Sequence, residues 1–297
     1  MTSLFPPVDP GRKNSRSRTR RTVPFRAIVP NLVTSLALCA GLTSIRLAME
    51  GRFELAVWAI LVAAILDAID GRVARLLKST SNFGAQLDSL ADFVNFGVAP
   101  ALLIYIWVLK GVGSIGWTAC LVYAICAALR LARFNAALEG DPQPDWQKDY
   151  FVGVPSPAGA LVVLFPLSLA KSGVTIFADV PIATAAYTIL VGLLMVSRLP
   201  TYSGKRAGAR IPGESVMPLF VIVVIFAGLL ASYTFLVLAI GTAFYIAHIP
   251  FAWRTWRHRV AEDAAEARGP QTADDKPTAA DPAASEPTPP PPAGKDS

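Results

Sequence analysis

Apolar residues run in eight long stretches with few polar breaks, near 31–50, 54–77, 85–109, 114–137, 155–172, 180–197, 214–231 and 233–253. Each is close to the roughly twenty residues a helix needs to cross a bilayer, so the pattern predicts an all-α, polytopic membrane helix bundle of about eight transmembrane helices. The two ends differ from this middle. Residues 1–29 form a polar, basic arm, and from 261 to 297 the chain turns to Ala, Pro, Asp, Glu and Thr, with four consecutive prolines at 289–292. Nothing in that composition can bury a core, so 261–297 is predicted to be a disordered tail behind one transmembrane domain over 30–255.

Composition agrees with the pattern. With 53% hydrophobic and 16% charged residues over 297 positions, the chain reads as an integral membrane protein and not as two soluble domains. Cys39, Cys120 and Cys126 all fall in apolar stretches, which indicates packing and neither a disulfide framework nor a thiolate metal site. No cleavable signal is visible ahead of the first apolar stretch.

Basic residues sort the connections into two sets. Lys and Arg crowd the N-terminal arm (Arg12 to Arg26), the turn with Arg72, Arg75 and Lys78, the 138–154 connection, the loop with Arg198, Lys205, Arg206 and Arg210, and the exit at Arg254, Arg257 and Arg259. The intervening loops hold only Arg46, Arg52, Lys110 and Lys171. Alternating basic loops put both termini in the cytoplasm and make the helix count even. Beside a spanning helix, the basic arm is a partner for anionic lipid and a topology signal; no nucleic-acid partner is expected.

Inside this apolar sequence stand four aspartates, in the pattern Asp67-x-x-Asp70-Gly71-x-x-Ala74-Arg75, eight further residues, then Gly84-x-x-x-Asp88-x-x-x-Asp92. A carboxylate at such a place costs from roughly 2.5 kcal/mol upward unless it is paired or cation-bound, so four together imply a function. On a helix, offsets 0, 3, 4, 7 and 8 from Asp67 share a face, and Gly84, Asp88 and Asp92 do the same on the next helix. If those helices are antiparallel neighbours, the carboxylates converge near one membrane surface. Hard oxygen ligands suit Mg²⁺ or Mn²⁺ and not zinc; the two histidines, His248 and His258, lie far along the chain. The plain alternative is structural ion pairing with Arg72, Arg75 and Lys78.

These positions match the signature of the CDP-alcohol phosphotransferase family, including the eight-residue gap between Arg75 and Gly84. The following runs, Asp88 to Pro100, Arg130-Leu-Ala-Arg133-Phe-Asn135 and Gly153-Val-Pro-Ser156-Pro-Ala158, resemble a bacterial branch of that family whose acceptor is serine. Asn95 departs from the Ser expected there. The resemblance covers about 28–210 and implies a six-helix core. It also implies transfer of the phosphatidyl group of CDP-diacylglycerol to L-serine with release of CMP, assisted by two divalent ions. By position it makes Asp67, Asp70 and Asp88 metal ligands, and Asp92 a further ligand and the general base. Gly71, Arg75 and Ser81 become contacts for the nucleotide, as do Asn31 and Thr34 of the Pro30-Asn31-x-x-Thr34 string, for which a simple helix cap is the competing reading.

The serine carboxylate needs a cation, and Arg130 and Arg133, with Asn135 nearby, are the candidates; flanking charge that sets topology is the competing explanation. Ser156 either shapes that pocket or merely starts a helix. The Tyr202-Ser203-Gly204-Lys205 loop is a further acceptor candidate, with plain solvation as its alternative. A homodimer in the cytoplasmic (inner) membrane, with the active site facing the cytoplasm, completes the expectation. Two readings compete: the same chemistry on glycerol 3-phosphate or an inositol phosphate, which calls for a denser basic pocket, and an ion-coupled transporter, whose acidic residues sit on broken helices at mid-membrane.

Overall fold

The structure, a computed structural model, describes residues 28–77, 81–138, 150–197, 200–202 and 216–267. All eight apolar stretches are helical. They form α1 (Ile28–Met49), α2 (Phe53–Leu76), and α3 (Asn82–Asp92), which runs through a π-helical segment (Phe93–Val98) into α4 (Ala99–Trp107). Then come α5 (Ser114–Leu138), α6 (Ser156–Val163) with α7 (Phe165–Lys171), a single turn α8 (Ile176–Asp179) leading into α9 (Pro181–Val196), α10 (Val216–Ser232) and α11 (Thr234–Ala267).

Among the described residues, four helical runs are long and apolar enough to cross a membrane: Ile28–Met49, Asn82–Trp107, Ser114–Ala137 and Thr234–Trp256. Two shorter apolar helices, Pro181–Val196 and Val216–Ser232, accompany them. The α2 helix is 24 residues long, with its charges other than Glu54 of the first turn in its C-terminal half. The protein is thus a polytopic membrane bundle. Its surface fits lipid: α10 is exposed at every position but Leu230, although the helix is almost entirely apolar.

Small residues set the packing. The helix α1 buries Pro30, Thr34, Ala37, Gly41, Ser44 and Ala48, at alternating steps of four and three, and packs along α2 as well as against α3 and α4. Between helices in lipid, van der Waals contact drives association, and small residues let backbones close. At Gly41 the approach is closest: any Cβ there would overlap the Asn95 amide. Asn95 is fully buried, with neither amide atom bonded to protein. The bulkier Asn in place of Ser is therefore accommodated by glycine on the facing helix.

The π-helical segment has a local cause. Pro100 has no N–H to give the Phe96 carbonyl four residues back. The hydroxyl of Tyr123, a wholly buried residue of α5, donates to that carbonyl at 2.9 Å. On the other side of the bundle α5 packs against α9, and Gly192 lets the two helices close to the point where a Cβ would lie 3.0 Å from the Tyr123 backbone.

A two-stranded antiparallel pair, β1 (Tyr150–Val152) with β2 (Pro200–Tyr202), joins the chain entering α6 to the chain leaving α9, Phe151 opposite Thr201. Gly153 follows at φ +79°, with its α-carbon backed onto the carbonyls of Met195 and Ser197, a place that excludes a side chain. One boundary differs from expectation. The α11 helix runs to Ala267, so Ala261–Ala267 are helical and not part of a disordered tail. That run is Ala and acidic residues alone, good helix formers that extend a helix already nucleated. The basic arm through residue 27, Lys148, Ser203 to Arg210 and the tail from 268 lie outside the described residues.

Candidate active site

The ends of α2 and α3 meet as the spacing predicts. One carboxylate oxygen each from Asp67, Asp70 and Asp88 lie within 4.8 Å of one another, and the Asp92 carboxyl lies beside that of Asp67. Thr34 of α1 donates to Asp70 Oδ2 at 2.7 Å while its hydroxyl also lies 3.1 Å from the Pro30 carbonyl. Asp70 is only 4% exposed. Oδ1 of Asp88 and of Asp92 are buried with no hydrogen-bond partner in the protein.

Ion pairing does not account for this cluster. Among the described residues, the salt bridges are those of Glu50 with Arg46 and Arg52, and neither Arg72 nor Arg75 bonds to an aspartate; Lys78 lies outside them. Orphaned carboxylate oxygens beside other carboxylates are what a hard divalent cation satisfies, so the donor set fits such a metal.

Next to the aspartates opens a cleft of about 190 Å³ lined by Asn31, Thr34, Gly71, Arg75 and Ser81 together with Asp70 and Asp88. Each of the five side chains and backbones expected to touch the nucleotide is therefore at one opening. Ser81 starts α3 as its N-cap, its Oγ accepting from Gly84 N at 3.0 Å. The two glycines differ in what they do. A Cβ on Gly84 would lie 2.8 Å from Asn31 Oδ1, so Gly84 permits α1 to close on α3. A Cβ on Gly71 would meet nothing nearer than Arg75 Nη1 at 3.7 Å, so Gly71 keeps the cleft open. The exposed Arg75 guanidinium stands at that opening, with a fork geometry matched to two phosphate oxygens.

The second group of expected residues separates. Arg130, on α5, donates through Nη1 to Ser156 Oγ at 2.8 Å, keeps a buried Nε without a partner, and lies within electrostatic range of Asp92 and of Tyr245 on α11. Arg133 turns away: its Nη1 donates to the Val196 carbonyl at 2.6 Å, capping the C-terminal end of α9, where a cation is favoured by the helix dipole. Asn135 donates to Ser89 Oγ at 2.8 Å and ties α5 to α3 beside Asp88. Of the Tyr202 to Lys205 loop only the backbone of Tyr202 is described, in β2. Thr34 holds a carboxylate as well as lining the cleft, a role its place in a short string does not reveal. Tyr245 carries no sequence signal and is found only through the fold.

Known proteins place this chain. The sequence model of the CDP-alcohol phosphatidyltransferase family matches residues 27–197, and a second model, CDP-alcohol phosphatidyltransferase 2, matches 214–250, which extends the likeness into the last helix pair. A protein of Mycobacterium leprae named CDP-diacylglycerol–serine O-phosphatidyltransferase is 38% identical over 262 residues, 88% of this chain and 84% of its own length. Proteins with the same name from Helicobacter pylori (36% over 203 residues, 68% and 81%) and Bacillus subtilis (35% over 172 residues, 58% and 88%) are also similar. With its aspartate signature assembled at one cleft and more than half its length matched, the chain belongs to the CDP-alcohol phosphatidyltransferase family.

Proposed function

We propose that this protein is an enzyme that transfers the phosphatidyl group of CDP-diacylglycerol to the hydroxyl of L-serine, giving phosphatidylserine and CMP. The observation that carries the reading is the convergence of Asp70, Asp88, Arg75 and Ser81 on one cleft, with Arg130 within electrostatic range of Asp92. The relatives' shared name supports the choice of substrates.

Asp67, Asp70 and Asp88, with Asp92 beside them, would hold the divalent ions, two of Mg²⁺ or Mn²⁺ in this reading. When bound, these neutralise the pyrophosphate and stabilise charge on the departing CMP. The chain's own residues do the rest. Arg75 grips phosphate oxygens in a two-point fork and Ser81 and Asn31 line the nucleotide side. Thr34 fixes the rotamer of Asp70, so that the carboxylate is aimed before any ligand arrives. Serine enters with its carboxylate on Arg130, whose orientation is set by Ser156. Its hydroxyl gives up a proton to Asp92 as the oxygen bonds to phosphorus and the bond from phosphorus to the CMP oxygen breaks.

A phosphorylated acceptor fits less well. Arg133 is engaged at Val196, while Arg130 lies within electrostatic range of Asp92. The reading also includes the cytoplasmic membrane, with both termini and the cleft on the cytoplasmic side, which the alternation of basic loops supports. It takes the 30–255 segment as the catalytic domain and the assembly as a homodimer, which the mass of the detergent-purified protein tests. The deciding experiment offers purified protein CDP-diacylglycerol with labelled serine, glycerol 3-phosphate or inositol phosphate, with and without EDTA. Phosphatidylserine with equimolar CMP, abolished by EDTA, is expected; product from a phosphorylated acceptor alone would replace the serine assignment.

A further inference from the structure

The last helix pair lies beyond residues 27–197, yet α11 brings a polar side chain to the border of the site. The inward stripe of α11 is Leu238, Thr242, Tyr245 and Ile249, at steps of four, three and four. Thr242 is buried and the other three pack against the hydrophobic core, while Ile240 and Phe244 of the same helix are exposed. Thr242 and Tyr245 line a groove of about 670 Å³ walled by α2, α6, α10 and α11. Two further lining residues fix where that groove runs. Ala68 directly follows Asp67 on α2, and Ala158 stands two residues after Ser156 on α6. Tyr245 therefore shares a groove with the helix that carries the first aspartates and with the helix whose Ser156 holds Arg130.

The Tyr245 hydroxyl oxygen is fully buried. A phenol in such a place needs a polar neighbour, since removing its hydroxyl from water is otherwise costly. Tyr123 and Tyr187 meet that need at backbone carbonyls, donating to Phe96 at 2.9 Å and to Val162 at 2.7 Å. Tyr245 differs in lying within electrostatic range of a charged group, Arg130. Arg130 in turn has Nη1 held by Ser156 and a buried Nε that bonds to no protein atom. A guanidinium held at one nitrogen can still pivot about that bond, whereas two fixed points on different helices set the direction of its fork, and a phenol oxygen can accept from its N–H groups. We infer that Tyr245 is a positioning residue for the acceptor: its phenol oxygen and Ser156 Oγ hold the Arg130 guanidinium from α11 and α6, so that the remaining N–H groups stay aimed at the acceptor carboxylate. The inference rests on the reading of Arg130 as the acceptor's cation. It gives the α10–α11 pair a part in acceptor selection, since the side chain that completes the Arg130 setting is carried into the bundle by α11.

Tyr245→Phe removes the oxygen and keeps the ring, so it tests the role without emptying the packing. It is expected to raise the serine KM about fivefold, the scale of one hydrogen bond of roughly 1 kcal/mol, while kcat and the KM for CDP-diacylglycerol hold. Serinamide, which has no carboxylate for Arg130 to receive, should lose little. Tyr187→Phe is the control: it also removes a phenol oxygen from the bundle, at the Val162 carbonyl, and should leave the serine KM in place. In the Arg130→Met background, Tyr245→Phe should add little further loss with serine, because nothing is left to position. Thermal unfolding of the wild type, the two single variants and the double variant without substrates gives a second cycle that needs no acceptor, and there too the effects should be non-additive. An unchanged serine KM in Tyr245→Phe, equal losses with serine and serinamide, or additive losses in either cycle would overturn the inference and leave Tyr245 a packing residue. If the wild type used only a phosphorylated acceptor, the serine reading would fall, and the substrate-free cycle would decide by itself whether Tyr245 positions Arg130.

Discussion

The two halves of this site, the proposed nucleotide side and the proposed acceptor side, are built differently. On the proposed nucleotide side, α1, α2 and α3 are consecutive, with α2 and α3 both packed on α1, and six of their polar or charged side chains line one cleft: Asn31, Thr34, Asp70, Arg75, Ser81 and Asp88. On the proposed acceptor side, Arg130, Ser156 and Tyr245 come from three helices, α5, α6 and α11, that are not consecutive in the chain as α1 to α3 are, and two neighbouring polar residues have structural partners, Arg133 at the end of α9 and Asn135 on Ser89. A dense site made by adjacent helices can be strict about its ligand. A site assembled from distant helices leaves its specificity to one or two groups, which makes the acceptor the more evolvable half of the reaction.

The largest expected effect lies in the nucleotide half. Asp92→Asn or Asp88→Asn should lower turnover by about 10²–10⁴ with every acceptor, because a proton acceptor or a metal-facing carboxylate is lost, while the variants still insert and purify. CMP release at saturating substrates measures it. Near-normal turnover of either variant would remove that residue from the mechanism.

The contrast between the two arginines is the next test. Arg130→Met should raise the serine KM at least tenfold, since an ionic hydrogen bond of about 1.5–3 kcal/mol is lost and about 1.4 kcal/mol is one factor of ten. The CDP-diacylglycerol KM should hold. Serinamide, without the carboxylate, should lose little further in that variant. Arg133→Met should instead leave the serine KM in place and lower thermal stability, by about 0.3–1 kcal/mol for a lost helix-end cation. Exchange of these two outcomes would reverse the assignment of the acceptor cation.

Thr34→Val keeps the shape of α1 but strips Asp70 of its donor. A roughly tenfold rise in the metal concentration needed for half-maximal activity is expected, the lower end of what a lost orienting partner costs; an unchanged metal requirement would make Thr34 a packing residue. The smallest effect separates the glycines. Gly71→Ala should weaken CDP-diacylglycerol binding a fewfold without loss of stability, because it only narrows an open cleft. Gly84→Ala should destabilise by about 1 kcal/mol or more, because its methyl group presses on Asn31. Thermal unfolding alongside KM distinguishes the two.

Much of this molecule was already legible along the chain. Bilayer-length apolar runs specify helices because every backbone group in lipid must be paired within its own segment. All eight runs are helices, with ends close to the predicted ones except at α11, which continues to Ala267. The aspartate stripes were equally legible, since i, i+3 and i+4 positions share a face whatever surrounds the helix, and the short link to α3 brings the second stripe to the first. What the sequence could not decide is which polar residue faces which. Arg130 and Arg133 stand three residues apart in similar surroundings, and only the docking of α9 against α5 takes Arg133 to the Val196 carbonyl and leaves Arg130 toward Asp92. The same holds for Gly41 under Asn95, for the Tyr123 hydroxyl on the Phe96 carbonyl freed by Pro100, and for the groove closed by α10 and α11. Helical periodicity is a local property of the backbone and can be read from one segment, whereas the partner of a long side chain is chosen by whichever distant helix packs within its reach, and that choice is made only when the bundle assembles.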